Sequence, residues 1–404
     1  MIYPKSVSIF GLALFLSSCT NAPQPKIDPQ LAAEIEKIKA IDNHAHPVRP
    51  GNPPDTDFDA LPVDNMEAYP LPIRSRLESP IVAEARQKMQ SVDKTNPLAV
   101  LDALGIETMI ANRVAPMPGA RFKFAGYVDA LMYPLDNTSM MKDPDKKQFF
   151  PLEEKLLTRY YAESGVPSKP ATLDEYLNKV VRATLERHKQ AGAVAEKFEM
   201  AYLRAFDVGN PSKADAEKAY TGKGNYKVLQ DYIFRFLITE CGRLGMAVHI
   251  HCSASAGGYF DIAGNNPLLL ESVLHDPATR KTNFVLLHGG WPFVGEITAL
   301  LQNPNVYTDF SEQTANGYPR EVSTMIRKWL EYEPEKVLFA TDAYPFSKEV
   351  GWEEAGYVAN KTGREALGLA LTGMLRDEEI SQDRAIQLAR MVLRENAQKL
   401  YGFK

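Results

Sequence analysis

Eight short apolar segments, set between helix-like stretches, constrain the fold of this chain more than any other feature. Such an alternation predicts parallel strands joined by helical crossovers, because each strand must be re-entered from the same end. The segments are Ala40–His44, Glu107–Asn112, one within Phe122–Met132, Ala193–Phe198, Met246–His251, Asn283–His288, Val306–Phe310 and Val337–Thr341. The fourth follows the periodic stretch Leu173–Gln190 and a stop at Gly192. Eight strand–helix units suggest a closed α/β barrel, the (β/α)8 TIM barrel, over an open doubly wound sheet. No Gly-x-Gly-x-x-Gly follows the first strand to favour the open form.

The 404 residues exceed the roughly 250 of a typical barrel. The surplus lies mainly in Pro47–Asn96, Pro134–Ala171 and Arg204–Asn225, each of which follows a predicted strand. Long loops at that position crowd the C-terminal face, where barrel enzymes place their sites, so residues 31–404 are read as one barrel domain with insertions. With 45% hydrophobic and 24% charged residues the chain has ample material for a core. A net charge of -5 and the lack of a Lys/Arg cluster argue against nucleic acid as a partner.

Residues 1–18 read as a signal peptide: Lys5 supplies the positive charge, and Val7–Leu16 is an apolar run too short to span a bilayer. Leu16-Ser17-Ser18-Cys19 resembles the bacterial lipobox, which implies lipidation of Cys19 and a membrane-anchored lipoprotein of the cell envelope, facing the periplasm. Residues 19–30, rich in Pro, Asn and Gln, then form a tether. Only Cys241 and Cys252 remain for the domain; they could pair, though both lie in or beside apolar runs where buried thiols are common.

Of seven histidines, five fall in or at the ends of three apolar strands, in "AIDNHAHP", "AVHIHCS" and "FVLLHGG". A strand histidine must satisfy two ring nitrogens, and neutral imidazole is the commonest protein metal ligand, so a cluster points to a metal. His44 and His46, two apart on a strand, share one face and can converge on one cation. Asp342 ends the eighth strand in "VLFATDAYP", where a carboxylate is costly to bury without a partner or a metal. His249 shares a face with His251, and the latter stands nearer the C-terminal end; His188 and His275 read as solvated.

Taken together, His44-x-His46, His251, His288 and Asp342 resemble the metal site of the amidohydrolase superfamily. The likeness covers nearly the whole mature chain. It is closest to the branch holding metal-dependent decarboxylases and amidohydrolase-like domains fused to glutamine-synthetase-like proteins, through "NPLLLESVL", "LLHGGWPFVGEI", "VYTDFS" and "LRENAQKLYGF". The resemblance implies that His44, His46 and Asp342 bind one divalent ion, most simply zinc, and that His251 and His288 bind a second when present. It also implies a CO2-carboxylated lysine bridging the two, for which "AVAEKFEMAYLR" offers Lys197; the alternative is a lysine ion-paired with Glu196 or Glu199. Relatives of this branch often carry glutamine in place of His249, which implies a residue one layer below the metal. Tyr202 and Arg204 resemble a Tyr-x-Arg of the same branch, implying a grip on a substrate carboxylate, or for Arg204 a structural pair with an acid such as Asp207. Trp291, Phe293, Tyr259 and Tyr344 are further candidates for the pocket wall.

The expected reaction is hydrolysis of an amide, ester or lactone in a small molecule. A divalent ion lowers the pKa of its water towards about 7, Asp342 relays the proton, and the metal or His288 polarises the carbonyl. Decarboxylases of the branch resemble one-metal sites that do not use the lysine, so Lys197 tilts the reading towards hydrolysis. Non-oxidative decarboxylation or carbon–carbon hydrolysis is the alternative within enzymes. A non-catalytic metal- or solute-binding lipoprotein is the alternative outside them.

Overall fold

The computed structural model describes residues 26–58, 60, 78–143, 146–252, 261–347 and 349–403. The signal segment, Cys19 and Tyr259 lie outside the described residues. All eight predicted strands form: β1 Ala40–Ala45, β2 Ile106–Arg113, β3 Phe122–Tyr127, β4 Ala193–Phe198, β5 Ala247–Ile250, β6 Phe284–Leu286, β7 Val306–Asp309 and β8 Val337–Leu338. They lie in one parallel sheet in sequence order. The ring is drawn shut by backbone bonds between the end of the sheet and its start, Asn43 N–H to Phe339 O at 2.9 Å, Asp342 N–H to His44 O at 2.8 Å and His46 N–H to Ala343 O at 2.8 Å. This is the α/β barrel anticipated, in a single domain.

Residues of the strands are almost all buried on both faces, which is why they read as apolar runs rather than as alternating patterns. Helices stop where the strands must start. Gly105, at φ 66°, ends the helix Pro97–Leu104 one residue before β2, and Gly245, at φ 63°, ends Tyr226–Leu244 just before β5. Both occupy the left-handed region in which only glycine is free of strain. Between β2 and β3 the crossover is residues 114–121 without a helix, shorter than the dozen or so a parallel connection usually takes. Regular pairing of β8 covers only Val337 and Leu338. The chain beyond it to Thr341 was expected as strand; it is bonded to β1 but irregular.

The insertions follow β1, β3 and β4, and so rise on the C-terminal side. In the first, Asp55 accepts from Arg49 and from Arg113 at the end of β2, at 2.9 and 2.7 Å. The second contains the helix Phe150–Glu163, whose Tyr160 donates to Tyr127 O at the end of β3. The opposite end of the barrel is plugged from outside the strand set. Tyr401 and Phe403, at and just after the helix Asn396–Tyr401, pack under the interior side chains Ile41, Ile110, Ala125, Ala195, Val285 and Leu338. That packing accounts for the "KLYGF" stretch. Cys241 and Cys252 are buried free thiols. No helix among the described residues is long and apolar enough to cross a membrane.

Candidate metal centre

Three ligand atoms meet at the junction of β1 and the chain after β8. His44 Nε2 and His46 Nε2 lie 3.1 and 3.3 Å from Asp342 Oδ1, and 3.3 Å from each other. Two imidazoles aiming the same nitrogen at one carboxylate oxygen form the arrangement a cation requires. The opposite nitrogens are held: His46 Nδ1 faces Tyr127 OH at 2.9 Å and His44 Nδ1 faces the Asn112 amide at 2.6 Å. An Nδ1–H donated to the tyrosine oxygen leaves the His46 Nε2 lone pair for a metal; the Asn112 atom facing His44 Nδ1 is Nδ2, and the same state of His44 requires that amide turned to present Oδ1.

A second group stands beside the first. His251 Nδ1 is 3.1 Å from His288 Nε2, and His251, His288 and Glu312 offer ligand atoms within 4.8 Å of one another. The far nitrogen of His288 is fixed by a relay from β7. Ser311 Oγ donates to Asp309 Oδ1 at 2.6 Å, and therefore accepts from His288 Nδ1–H at 2.8 Å. Asp309 also takes the His288 backbone N–H at 2.9 Å and Asn43 Nδ2 at 2.9 Å, locking β1, β6 and β7 together beneath the site.

The amidohydrolase profile matches residues 41–403. The chain belongs to the amidohydrolase family. Protein fluG of Emericella nidulans is 29% identical over 139 residues, covering 34% of this chain; the match spans only 15% of that longer protein. A Lactobacillus casei protein assigned as a metal-dependent hydrolase shares the fold with a TM-score of 0.62 at 15% identity, over 93% of this chain and 98% of its own. The uronate isomerase of Thermotoga maritima does so with a TM-score of 0.57 at 12% identity, over 93% and 98%. At such identities the fold alone is shared. In this amidohydrolase two groups of candidate divalent-metal ligands lie at the C-terminal end of the barrel.

The protonation states suit a metal. Burial, then the neighbouring Lys197 ammonium, pushes His44 far below its ordinary value; burial and His251 do the same to His288. Burial would raise the Asp342 carboxyl, but the imidazoles of His288 and His44 around it hold it well below the usual range. Neutral imidazoles facing an ionised carboxylate are the forms that bind a cation. Backbone strain is concentrated here as well: His288, Glu312 and Asp342 have φ of 63°, 60° and 53°. Non-glycine residues are held in such conformations chiefly where function demands it. Behind His288, Gly289 and Gly290 continue the left-handed turn; a Cβ on Gly289 would stand 2.5 Å from the Trp329 ring, which accounts for the "HGG" sequence.

Lys197 is buried, with Nζ 2.9 Å from Glu199 Oε1 and 3.5 Å from His44 Nε2. Of the two acids weighed from sequence, Glu199 is its partner, while Glu196 faces the other side of β4 and pairs with His188 at 3.0 Å. His188 is thereby a buried histidine, not the solvated one expected; Gly126 leaves it space, since a Cβ there would lie 2.6 Å from its ring. His275 is half-exposed. His249 sits below the ligands, its Nε2 2.7 Å from Tyr401 OH and its ring 6.4 Å from that of His44. Burial, with Lys197 nearby, lowers its pKa to about 3.

Tyr202 is at the site: its ring lies 4.8 Å from His251, with Phe149 of the second insertion 5.5 Å behind. Tyr344 stands 6.5 Å from His46. Trp291 is partly exposed and Phe293 half-buried. Arg204 is directed elsewhere, to Asp231 at 2.7 Å, Gln230 at 3.1 Å and the Ala205 carbonyl at 3.2 Å, with Asp207 at 3.5 Å. Asn112, Tyr127, Asp309, Ser311 and Glu312 were not singled out from sequence. The one signal was that Asp309 and Ser311 fall in "VYTDFS", with Glu312 next.

Ser311→Ala removes the acceptor for His288 Nδ1–H without touching a ligand atom. Loss of such an outer partner costs about 10- to 100-fold in metal affinity or activity. A competition titration with a chelator and a kcat measurement check this; wild-type values for both would show that the relay is idle.

Proposed function

We propose that this amidohydrolase hydrolyses an amide, ester or lactone bond of a small molecule, with Asp342 as the proton carrier. The observation that carries this reading is the buried Asp342 carboxyl group, set 3.1 and 3.3 Å from two imidazole nitrogens at the barrel mouth. Zinc is the ion we propose, because two histidine nitrogens and a carboxylate oxygen with room for a further ligand match its catalytic sites. When bound, a divalent ion supplies Lewis acidity and a water acidic enough to deprotonate near neutral pH.

The remaining steps belong to the chain. Asp342 takes the proton as the water oxygen adds to the substrate carbonyl carbon. It returns that proton to the leaving nitrogen or oxygen as the bond to carbon breaks, so the carboxylate ends as it began. His288, fixed by Ser311 and Asp309 through Nδ1, keeps its Nε2 lone pair on the side of the site that faces His251, where that nitrogen is a metal-ligand atom. Tyr202, Phe149 and Tyr344 wall the approach and favour a substrate with an apolar or aromatic body.

A second reading has one observation of its own. Lys197 as an ammonium in the site can attract a substrate carboxylate, which favours decarboxylation of a carboxylic acid. Reaction in oxygen-18 water separates the two. Hydrolysis places the label in the acid product, whereas release of CO2 with no label in the organic product would overturn the hydrolytic reading.

A further inference from the structure

We propose that Tyr401, at the end of the barrel opposite the candidate ligands, is a positioning residue that orients His288 through Asn43 and Asp309. Its effect on metal binding rests on the metal-dependent reading above; the relay itself consists of hydrogen bonds that need no ion.

The relay starts at the last helix. Asn396 Nδ2 donates to the carbonyls of Pro334 and Val337, both at 2.8 Å, which fastens the helix Asn396–Tyr401 to the start of β8. Tyr401 enters the barrel from below, its ring stacked on that of Phe403 at 5.3 Å and packed under Ile41, Val285 and Leu338. Apolar packing alone would be served as well by phenylalanine, the residue that does the same work at 403. The phenol oxygen is what needs a reason, because a hydroxyl inside a barrel is costly unless it is bonded. It meets two groups, Asn43 Oδ1 and, at 2.7 Å, His249 Nε2.

The direction of each bond follows from its neighbour. Asn43 is fully buried, and its Nδ2 donates to Asp309 Oδ2 at 2.9 Å. Its Oδ1 is therefore turned the other way and accepts from the Tyr401 O–H. Having given its one hydrogen, the phenol oxygen accepts from His249 Nε2–H. Among the described residues the second ring nitrogen of His249 has no hydrogen-bond partner, so the phenol is what holds that ring. At the far end Asp309 Oδ1 receives Ser311 Oγ at 2.6 Å and the His288 backbone N–H at 2.9 Å, and Ser311 Oγ accepts from His288 Nδ1–H at 2.8 Å. Asn43 thus fixes one oxygen of Asp309 while the other oxygen fixes His288. Without the Tyr401 hydroxyl, Asn43 Oδ1 is left buried with no donor and its amide is free to rotate. The Asp309 carboxyl then loses the bond that sets its tilt, and His288 is held less closely at both its backbone and its Nδ1. Bonds in such a chain reinforce one another, which lets a side chain 358 positions from Asn43 act on His288 without touching it.

The test uses the full chain, stripped of metal and labelled with nitrogen-15 histidine; with seven histidines the ring signals are few. The His288 Nδ1–H signal is identified by its displacement in Ser311→Ala. Tyr401→Phe keeps the plug and removes only the hydroxyl, and it is expected to shift the signals of both His249 and His288. A tyrosine that merely fills the barrel end would move His249 alone, and that result overturns the proposal. Titration of the same protein with Co2+ alone, against a competing chelator, supplies the second measurement. Tyr401→Phe is expected to weaken cobalt binding by about tenfold, the lower end of the range for an outer partner. Because Ser311→Ala cuts the same chain, the double variant is expected to lose less than the product of the two single losses. Unchanged cobalt affinity in Tyr401→Phe, or losses that multiply in full, would also overturn the proposal. Should Tyr401→Phe not fold, Asn43→Ser breaks the chain at its middle: the same displacement of His288 is expected, and an unmoved signal counts against the relay. Failure of the underlying reading looks different, since the His288 signal then responds as described while the wild-type chain binds no cobalt at all.

Discussion

Asp342→Asn is expected to lower kcat by about 10²- to 10⁴-fold, the usual contribution of a positioned acid–base group, while the barrel stays folded. Asparagine is the informative substitution because of the backbone. At φ 53° residue 342 is in the left-handed region, which Asp and Asn tolerate better than other non-glycine residues. Alanine there would mix strain with lost chemistry. The amide keeps the shape and an oxygen towards His44 and His46, but it cannot accept and return a proton. Steady-state kinetics, with metal content and near-UV circular dichroism as controls, give the answer. Unchanged kcat in a metal-loaded Asn variant would remove Asp342 from the proton path.

Stripping the protein with a chelator is expected to abolish turnover, and zinc to restore it. The same treatment should lower the melting temperature. An ion that binds the native chain alone contributes about 4 kcal/mol of stability at a free concentration a thousand times its Kd. Without the ion, Asp342 and the two imidazoles remain buried and lose that contribution. A domain of this length shifts by a few degrees per kcal/mol, so calorimetry should record a clear drop. Full activity in protein shown to be metal-free would contradict the metal-dependent reading outright.

The barrel and the clustering of the candidate ligands were legible because the features that encode them are local. Eight apolar runs, His44-x-His46 within one run, and His251, His288 and Asp342 at the ends of others can be read from a few neighbouring residues. What supports those ligands was not legible, because the partners are distant in the chain. Asn112 and Tyr127 hold His44 and His46 from β2 and β3, and Tyr401 reaches His249 across 152 positions. A serine and a glutamate after β7 look like turn residues until the ring closes and turns them towards His288. Arg204 shows the converse: its spacing matched a family motif, but Asp231, on a helix 226–244 that no short motif connects to it, takes the guanidinium. His188 belongs to the same class, since only the packing of its helix over β4 reveals the waiting Glu196.

The short eighth strand has a consequence for how the cylinder holds together. Its regular pairing spans two residues, and the join to β1 relies on a few irregular bonds around His44, His46 and Asp342. An ion bound by those three side chains would sit across that seam and act as its clasp. The candidate metal ligands and the closure of the ring therefore occupy the same place, so a bound ion would tie the last segment of the barrel to the first.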